Sequence, residues 1–434
     1  MGAFRFLTAG ESHGQALGVT VEGVPAGVPL TKEDLRVDLA RRQRGYGRGA
    51  RQSIEQDRAE ILAGVRHGRT LGSPVLLIVR NRDWENWTRV MQVEPMTESD
   101  AEELAGLAAS GNKRAAPVTR LRPGHADLAG ALKYGFDDVR DVLERASARE
   151  TAARVAAGGV ARAFLRELGI EAWSFTAEVG GVALDPGNAS RTRAEADESP
   201  LRCPDPDAEG RMIARIDEAR SAGDTVGGVF EVVVHGAPIG LGSYVHWDRR
   251  LDAALAAAVM SINIVKGVEL GLGFEQTRRF GSQVHDVIEG REGDRWIHRS
   301  NNAGGLTGGV TNGEPLVVRG AVKPISTLAR PLPSADLVTG RPVDKAHYER
   351  SDISVVPAAG VVAEAMVMLT VAQVVVEKFG GDSLVEVQDN LARYQERISR
   401  IPDAPSPGAR PPGASSVATS PTDETGPFGS EGDD

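Results

Sequence analysis

Three long segments have the apolar pattern of helices that a protein core encloses. They are residues 147–168, 251–265 and 353–379, which are rich in alanine and aliphatic side chains around most of the helical circumference. A helix that is apolar on all sides is covered on several sides by other elements. Residues 382–398 have one apolar and one polar face, so this helix is expected at the surface. The pattern therefore predicts a helical layer enclosed by sheets or by other helices.

Short runs of apolar and β-branched residues predict strands around these helices. They are GVTVEGV at 18–24, SPVLLIVR at 73–80, GGVFEVVVHG at 227–236 and PLVVRGAV at 315–322. Strands and helices do not alternate regularly, which argues against a doubly wound parallel sheet. The sequence has neither a GxGxxG after a strand nor a GxxxxGK[ST] phosphate loop. We therefore expect phosphate to bind to side chains and irregular glycine loops.

Composition divides the chain into a folded part and a polar tail. Residues 402–434 are rich in Pro, Ser, Gly and acidic residues, which predicts a disordered tail after a single catalytic domain at 1–401. A second polar stretch at 186–210 predicts an exposed loop. The apolar stretch at 353–376 contains Pro357, Glu364 and Gln373, which favours a buried helix over a membrane span.

Charge and cysteine content narrow the possible functions. The net charge of −10 argues against nonspecific binding to nucleic acid. Cys203 is the only cysteine, so neither a disulfide framework nor a multi-cysteine metal site is possible, and no metal is expected. The first residues lack a basic-then-apolar signal pattern. We therefore expect a cytoplasmic protein without membrane partners.

Two histidines next to glycines are candidates for proton transfer. GESHG at 10–14 contains Glu11, Ser12 and His13, and RPGHAD at 122–127 contains His125 with Asp127 available to orient its ring. Imidazole titrates near neutral pH, so either residue could pass a proton. The alternative for each motif alone is a turn with a histidine exposed to solvent.

Arginines cluster in two further segments. RRQRGYGRGAR at 41–51 has five arginines around three glycines and no acid, and Arg binds phosphate or carboxylate with a planar fork. ERASARETA at 144–152 would place Arg145 and Arg149 one helical turn apart on one face, with Ser147 and Glu150 forming a capping box. The alternatives are a solvated basic loop and a capped surface helix.

Three segments rich in glycine or in hydroxyl side chains are further candidates for ligand binding. They are SNNAGGLTGG at 300–309, VKPISTLARP at 322–331 and YERSDISVVPAAG at 348–360. Asp352 precedes the long apolar helix, where an N-cap is the commoner role for a single aspartate. Together, these segments describe a cavity for a multiply anionic small molecule, with almost no acid competing for the arginines.

The chain from about residue 4 to residue 398 resembles the chorismate synthase family. The segments that carry the resemblance occur in the family's order: GESHG at 10–14, RRQRGYGRGAR at 41–51, RPGHAD at 122–127, LKYGFDD at 132–138, ERASARETAARVAAG at 144–158, NNAGGLTGG at 301–309, KPIST at 323–327 and RSDISVVPAAG at 350–360. The resemblance implies an α+β fold, a β-α-β sandwich with long buried central helices between antiparallel or mixed sheets, assembled as a homotetramer.

The resemblance also implies an activity. Members of the family are lyases of the shikimate pathway that eliminate phosphate from 5-enolpyruvylshikimate 3-phosphate in an anti-1,4 sense to give chorismate. The reaction requires reduced FMN without net redox change. A compact form of this kind would depend on a separate flavin reductase, and on NADPH only indirectly through flavin reduction.

Residue roles follow from the resemblance, position by position. His13 would be the general acid beside the leaving phosphate, His125 would protonate the reduced flavin, and Asp352 would assist the final proton removal. Glu11 and Ser12 would position His13 and touch the substrate. The implied substrate-binding residues are Ser12, Arg42, Arg48, Arg51, Arg122, Arg149 and Arg350. The implied flavin contacts are Arg145, Ala146, Ser147, Asn263, Ile264, Gly308, Lys323, Pro324, Ile325, Ser326, Thr327 and Arg350. Ile264 stands where the family usually has a small residue.

Two other functional classes are weighed against this one. An RNA- or nucleotide-binding module would use the arginines of 41–51, but it predicts interleaved aromatics and a basic overall charge, and only Tyr46 fits. A serine hydrolase would use Ser12 and His13, but no GxSxG elbow is present.

Overall fold

The structure, a computed structural model, describes residues 4–49, 56–185, 192–293, 295–349 and 351–400. Arg51, Arg350 and the predicted tail at 402–434 lie outside the described residues. The strands are β1 Arg5–Ala9, β2 Ala16–Glu22, β3 Ala59–Ala63, β4 Val65–Arg66, β5 Arg69–Thr70, β6 Val75–Arg80, β7 Glu171–Val179, β8 Val182–Ala183, β9 Gly228–His235, β10 Val265–Leu270, β11 Ile288–Glu292, β12 Arg295–His298, β13 Leu306–Thr307, β14 Val310–Thr311, β15 Leu316–Val322, β16 Ser334–Ala335 and β17 Pro342–Val343. The helices are α1 Lys32–Gln43, α2 Glu98–Ala109, α3 Asp127–Tyr134, α4 Arg140–Ala146, α5 Thr151–Arg166, α6 Arg193–Glu198, α7 Pro206–Ser221, α8 Leu251–Met260, α9 Gly281–Val284, α10 Val356–Phe379 and α11 Leu384–Ser399.

Two antiparallel sheets form the outer layers. The first has the strand order β1-β2-β6-β3 and the second has the order β10-β15-β9-β7-β8. All pairings within both sheets are antiparallel. Side chains along β2 alternate strictly between buried and half-buried, because successive residues of a strand point to opposite faces of the sheet. Each sheet therefore presents one apolar face to the layer beneath it.

Helices fill the space between the two sheets. α5 packs on β2 and β6 of the first sheet, α10 packs on β7 and β9 of the second, and the two helices pack on each other. Nearly every side chain of both helices is buried, as their all-round apolar sequences predict. The expected α+β sandwich, with long buried central helices between two sheets, is confirmed.

The crossing of α5 and α10 depends on a glycine. A Cβ added at Gly158 would lie 2.3 Å from the Cβ of Ala365 and 2.6 Å from its Cα. No other residue type leaves room for the two backbones at this distance, because real Cβ atoms do not approach so closely. The pair sets the spacing between the two central helices.

Several local predictions are wrong in their boundaries. The polar stretch at 186–210 is not simply a loop: within its described part, α6 begins with a capping box between Thr192 and Glu195, and Asp205 caps α7. The helix predicted at 251–265 ends at Met260, and Val265 already belongs to β10. β1 and β7 were not predicted.

The longest of the described helices lies in the core. Among the described helices, α10 is the one with the length and composition to cross a membrane, and 89% of its most apolar window is buried inside the protein. In the described part of the chain, no group of three or more His, Cys, Asp or Glu side chains is arranged to hold a metal ion.

Replacing Gly158 with alanine is expected to destabilise the protein, because the new methyl group would overlap Ala365 on the facing helix. The expected loss in the free energy of unfolding is about 3 kcal/mol, at the upper end of the usual cost of overpacking. Unfolding in urea measures it.

Gly210→Ala is the matched control, since Gly210 lies in the exposed interior of α7 with open space around it. This variant is expected to gain about 0.5–1 kcal/mol from helix propensity. Equal urea midpoints for Gly158→Ala and the wild type would contradict the close helix crossing.

Candidate active site

One cavity of about 460 Å³ brings together most of the segments that the sequence singled out, the glycine-rich segment at 300–309 excepted. Its volume is in the usual range for small-molecule sites, about 300–1,000 Å³. The loop after β1, the α1–β3 connection, the turn before α3, the α4–α5 junction, the residues before β10, those after β15 and the start of α10 all contribute. The predicted site residues in its lining are Ser12, His13, Arg42, Arg48, Arg122, His125, Ala146, Ser147, Arg149, Asn263, Ile264, Lys323, Ile325, Ser326, Thr327 and Asp352.

His13 is buried and held on one edge and one face. Its Nδ1 lies 2.8 Å from Glu144 Oε1, and its backbone N–H donates to Glu144 Oε2 at 2.7 Å. The imidazole stacks on Trp87 with ring centroids 4.0 Å apart. Asn81 donates to the carbonyls of Glu11 and Gly14 and thereby closes the turn. His13 therefore has one orientation, in which Nδ1 faces away from any ligand in the cavity.

His125 has the carboxylate partner that the sequence predicted. Its Nδ1 lies 2.5 Å from Asp127 Oδ1, and Asp127 also accepts from Arg122 Nε at 2.8 Å. Burial raises the pKa of Asp127, but the hydrogen bonds from Arg122 and His125 outweigh burial and hold this pKa well below its usual range. The side chain of Asp127 is therefore a permanent anion that orients the His125 ring.

Arg42 and Arg149 share a buried carboxylate. Arg42 Nη1 lies 3.1 Å from Asp57 Oδ2, and Arg149 binds the other oxygen of the same side chain. Burial outweighs the opposing charge of Asp57 and, with smaller contributions from the charges of Arg149 and Arg48, lowers the pKa of Arg42 to about 10. Asp57 thus holds together two cations that would otherwise repel each other.

Arg48 and Asp352 form a second pair. Arg48 Nε lies 3.3 Å from Asp352 Oδ2, and Asp352 Oδ1 accepts from the backbone N–H of Gly49 at 2.5 Å. The buried Nε of Arg48 makes no hydrogen bond with good geometry in the described part of the chain. Burial lowers the pKa of Arg48. Asp352 is not the N-cap of α10, because the cap position is Val355 and no side chain caps it.

Glu349 is a further acid in the lining of the cavity. Glu349 Oε2 lies 3.9 Å from Arg122 Nη1, and Glu349 Oε1 lies 3.5 Å from His347 Nε2. Burial raises the pKa of Glu349, but the hydrogen bond from His347 and the charge of Arg122 lower it to about 2. The expectation that the arginines face almost no competing acid is therefore wrong, because the acids come from distant parts of the chain.

The remaining wall is apolar, with hydrogen-bond donors at its rim. Ile262, Ile264, Val355, Ala358 and Val362 provide an apolar surface for the face of an aromatic ring. Polar donors at its rim are Ser147, Asn263, Lys323, Ser326 and Thr327. Burial, followed by the charge of Lys266, lowers the pKa of Lys323. An apolar face with hydrogen-bond donors at its edge suits a planar heterocycle that carries a phosphate.

Three predicted flavin contacts lie elsewhere. Arg145 points away from the cavity and donates to the backbone carbonyls of Thr8 and Gly10. Pro324 is not among the lining residues, and Gly308 lies in the tight β13–β14 turn at φ +64°, also outside the lining. The positive φ of Gly308 therefore has a local role in the β13–β14 turn.

The 144–152 segment does not form one continuous helix. Ser147 is extended, so it ends α4 and starts a 3-10 turn at Ala148–Glu150 by accepting from Arg149 N. Glu150 binds Thr8 and Arg154 instead of completing a capping box. Because of this break, Arg145 and Arg149 do not share a face, and only Arg149 reaches the cavity.

Four site residues were missed from the sequence: Glu144, Asp57, Trp87 and Glu349. Glu144 rather than the exposed Glu11 is the carboxylate that holds His13. Glu144 stands at the head of the ERASARETA segment, and Glu349 directly precedes the RSDIS segment, so both lie in or beside recognised motifs. Asp57 and Trp87 have no local pattern that distinguishes them from other surface or core residues.

The geometry disfavours both alternative classes. Ser12 Oγ lies 3.2 Å from Ser147 Oγ and His13 turns its Nδ1 to Glu144, and neither contact is the serine–histidine pair that a hydrolase needs. Tyr46 donates to Asp217 and is covered by Arg220, which leaves its ring unsuited to stacking with a base.

Comparisons with known proteins agree with the fold. The profile of the chorismate synthase family matches residues 4–376. The chorismate synthase of Nocardia farcinica is 55% identical over 405 residues, which cover 92% of this chain and 97% of that protein. That of Moorella thermoacetica is 54% identical over 397 residues, which cover 92% of this chain and 100% of that protein. A crystal structure described as chorismate synthase superposes with a TM-score of 0.71 at 41% identity, covering 92% of this chain and 99% of that one. Sequence and fold agree over nearly the whole length, and the chain belongs to the chorismate synthase family.

Proposed function

We propose that this chain converts 5-enolpyruvylshikimate 3-phosphate to chorismate by anti-1,4 elimination of phosphate, with reduced FMN bound. The observation that carries the proposal is a cavity whose lining contains two imidazoles, each paired with a carboxylate, together with several arginines and an apolar wall. The substrate carries a phosphate and two carboxylates, and both are anionic groups that a guanidinium group binds with a planar fork.

Each group has a task that its contacts support. Arg42, Arg48, Arg122 and Arg149 would bind the anionic groups of the substrate. His13 would donate a proton to the phosphate oxygen as the carbon–oxygen bond breaks. Asp352, held by Gly49 N–H, would assist removal of the ring proton. The apolar wall would exclude water, which strengthens these interactions.

The flavin side of the cavity is assigned to the apolar wall and its rim. Reduced FMN, when bound, supplies transient electron density to the allylic system and recovers it at the end. Ser147, Asn263, Lys323, Ser326 and Thr327 would bind it, and His125, oriented by Asp127, would hold a proton beside it. The electrons would come from a separate flavin reductase, with NADPH consumed only there, in the cytoplasm.

A homotetramer is part of the proposal. Exposed aromatic side chains support self-association: Tyr244, Trp247, Phe274 and Phe280 are between 69% and 81% exposed. Sedimentation equilibrium should give the mass of four chains, and a monomer at micromolar concentration would contradict it.

Anaerobic turnover tests the reaction. The purified chain is mixed with 5-enolpyruvylshikimate 3-phosphate and photoreduced FMN, without nicotinamide. Chorismate and phosphate are expected in equal amounts, and no net flavin oxidation should accompany them. Absence of chorismate under these conditions would refute the proposed function.

His13→Ala is expected to slow turnover about a hundredfold or more, as loss of a general acid does. Binding of oxidised FMN, measured by fluorescence quenching, should stay within about twofold of the wild type, because His13 is not among the residues assigned to flavin binding. Wild-type turnover in this variant would exclude His13 as the acid.

Arg48→Ala is expected to raise KM about tenfold or more, since a charge-assisted hydrogen bond contributes roughly 1.5–3 kcal/mol. Arg44→Ala is the control, because Arg44 is an exposed arginine of the same segment that does not line the cavity. Equal KM values in the two variants would show that Arg48 does not bind the substrate.

A further inference from the structure

Glu144 contacts the His13 turn with both its side chain and its backbone. Its two carboxylate oxygens face His13 Nδ1 and His13 N–H, and its carbonyl accepts from Ser12 N–H at 3.0 Å. The carboxylate side chain is 2% exposed. Three contacts from one buried residue fix both the backbone and the ring of His13.

The direction of the hydrogen bond between His13 and Glu144 determines which ring nitrogen of His13 is available for proton transfer. A carboxylate accepts hydrogen bonds and cannot donate them, so the hydrogen on the Glu144 side of the ring resides on Nδ1. The remaining nitrogen, Nε2, is then the position that gains and loses a proton. When Nε2 is protonated the ring is a cation, and an adjacent carboxylate stabilises it.

Within the described ranges, the other charged groups around His13 are farther away or are already paired. Arg140 Nη1 lies 3.7 Å from Glu144 Oε1, and the Arg140 guanidinium also covers the Trp87 ring. Asp83 accepts from Trp87 Nε1 at 2.9 Å, and Glu349 pairs with His347. Glu144 is the carboxylate in direct contact with the imidazole.

We infer that Glu144 is the positioning residue of His13: it fixes the ring with Nδ1–H turned inward and stabilises the charged form that donates the proton. The inference rests on the proposed function, because it assigns His13 its acid form in that reaction. Trp87 restricts the other degree of freedom by covering one face of the ring.

Glu144→Gln separates this role from that of a simple loop anchor. Glutamine has the same shape, and its oxygen can still accept the backbone N–H of His13. Its NH₂ group then faces Nδ1 and opposes a hydrogen there. The charged imidazole loses its stabilising partner, while the turn keeps its anchor.

The matched control is Glu314→Gln. Glu314 also faces a histidine Nδ1, that of His298 at 3.1 Å, and neither residue lines the cavity. It tests the general effect of losing a histidine–carboxylate pair in this protein. Steady-state kinetics are measured anaerobically from pH 6 to 9, the range around the usual imidazole titration of about 6.5.

For Glu144→Gln we expect kcat to fall about tenfold or more and KM to change less than threefold. In a plot of activity against pH, the decline at high pH should occur at least about one pH unit lower than in the wild type. Glu314→Gln should retain the wild-type profile. In a His13→Ala background, Glu144→Gln should cost nothing further, because it acts through His13.

Three outcomes would overturn the inference. The first is a wild-type pH profile and kcat in Glu144→Gln. The second is a lower kcat in that variant with no shift in the pH at which activity declines. The third is a further loss of activity of the same size when Glu144→Gln is added to His13→Ala. If Glu144→Gln does not fold, Glu144→Asp is the second variant, because it keeps the charge. Its kcat should be lower, but its activity should decline at high pH over the same range as that of the wild type. A shift of this decline by as much as one pH unit would count against the role. An inactive wild-type chain would refute the proposed function instead.

Discussion

The arrangement of the central layer depends on one buried carboxylate. Glu364 on α10 is fully buried and accepts from Arg41 of α1 at 2.8 Å, Arg162 of α5 at 2.7 Å and Ser174 of β7 at 2.6 Å, with Arg202 at 3.4 Å. Removing one partner of a buried ion pair typically costs about 3–5 kcal/mol, because it leaves an uncompensated charge. The network therefore specifies one relative placement of three helices and a sheet. The same placement brings Arg42, the start of α10 and the α4–α5 junction to a common cavity.

The network is insensitive to pH in the range where the site titrates. Burial raises the pKa of Glu364, but the surrounding arginines outweigh it and hold this pKa well below the usual range. A carboxylate with a lowered pKa in the folded state stabilises the protein above its unfolded-state pKa and loses that contribution as the pH falls. Its contribution is therefore complete at neutral pH. Changes of activity with pH near neutrality report the groups in the cavity rather than loosening of the scaffold.

Local patterns in the sequence predicted the features that depend on residues nearby in the chain. They failed for side chains whose contact partners are distant in the chain. The all-round apolar sequence of α10 predicted a buried helix, and the spacing of His125 and Asp127 predicted their contact correctly. Glu144 is 131 residues from His13, and Asp57 is 92 residues from Arg149, so no local rule could pair them. The break at Ser147 was missed because a capping-box sequence fits a continuous helix equally well. β1 was missed because most of its side chains are exposed or half-buried and carry no strong apolar signal.

The paired acids change how binding in this cavity is understood. Unpaired guanidiniums would hold one another apart until an anion arrived, and binding would have to order them. Here Asp57, Asp352 and Asp127 already fix Arg42, Arg149, Arg48 and Arg122 in place, so little reorganisation remains when an anionic ligand enters. The two imidazoles follow the same principle, since each turns Nδ1 to a carboxylate. They differ in access: the His13 side chain is 9% exposed and stacked on Trp87, whereas that of His125 is 18% exposed. A proton held on His13 is therefore the better protected from water, as the proposed role of His13 as general acid requires.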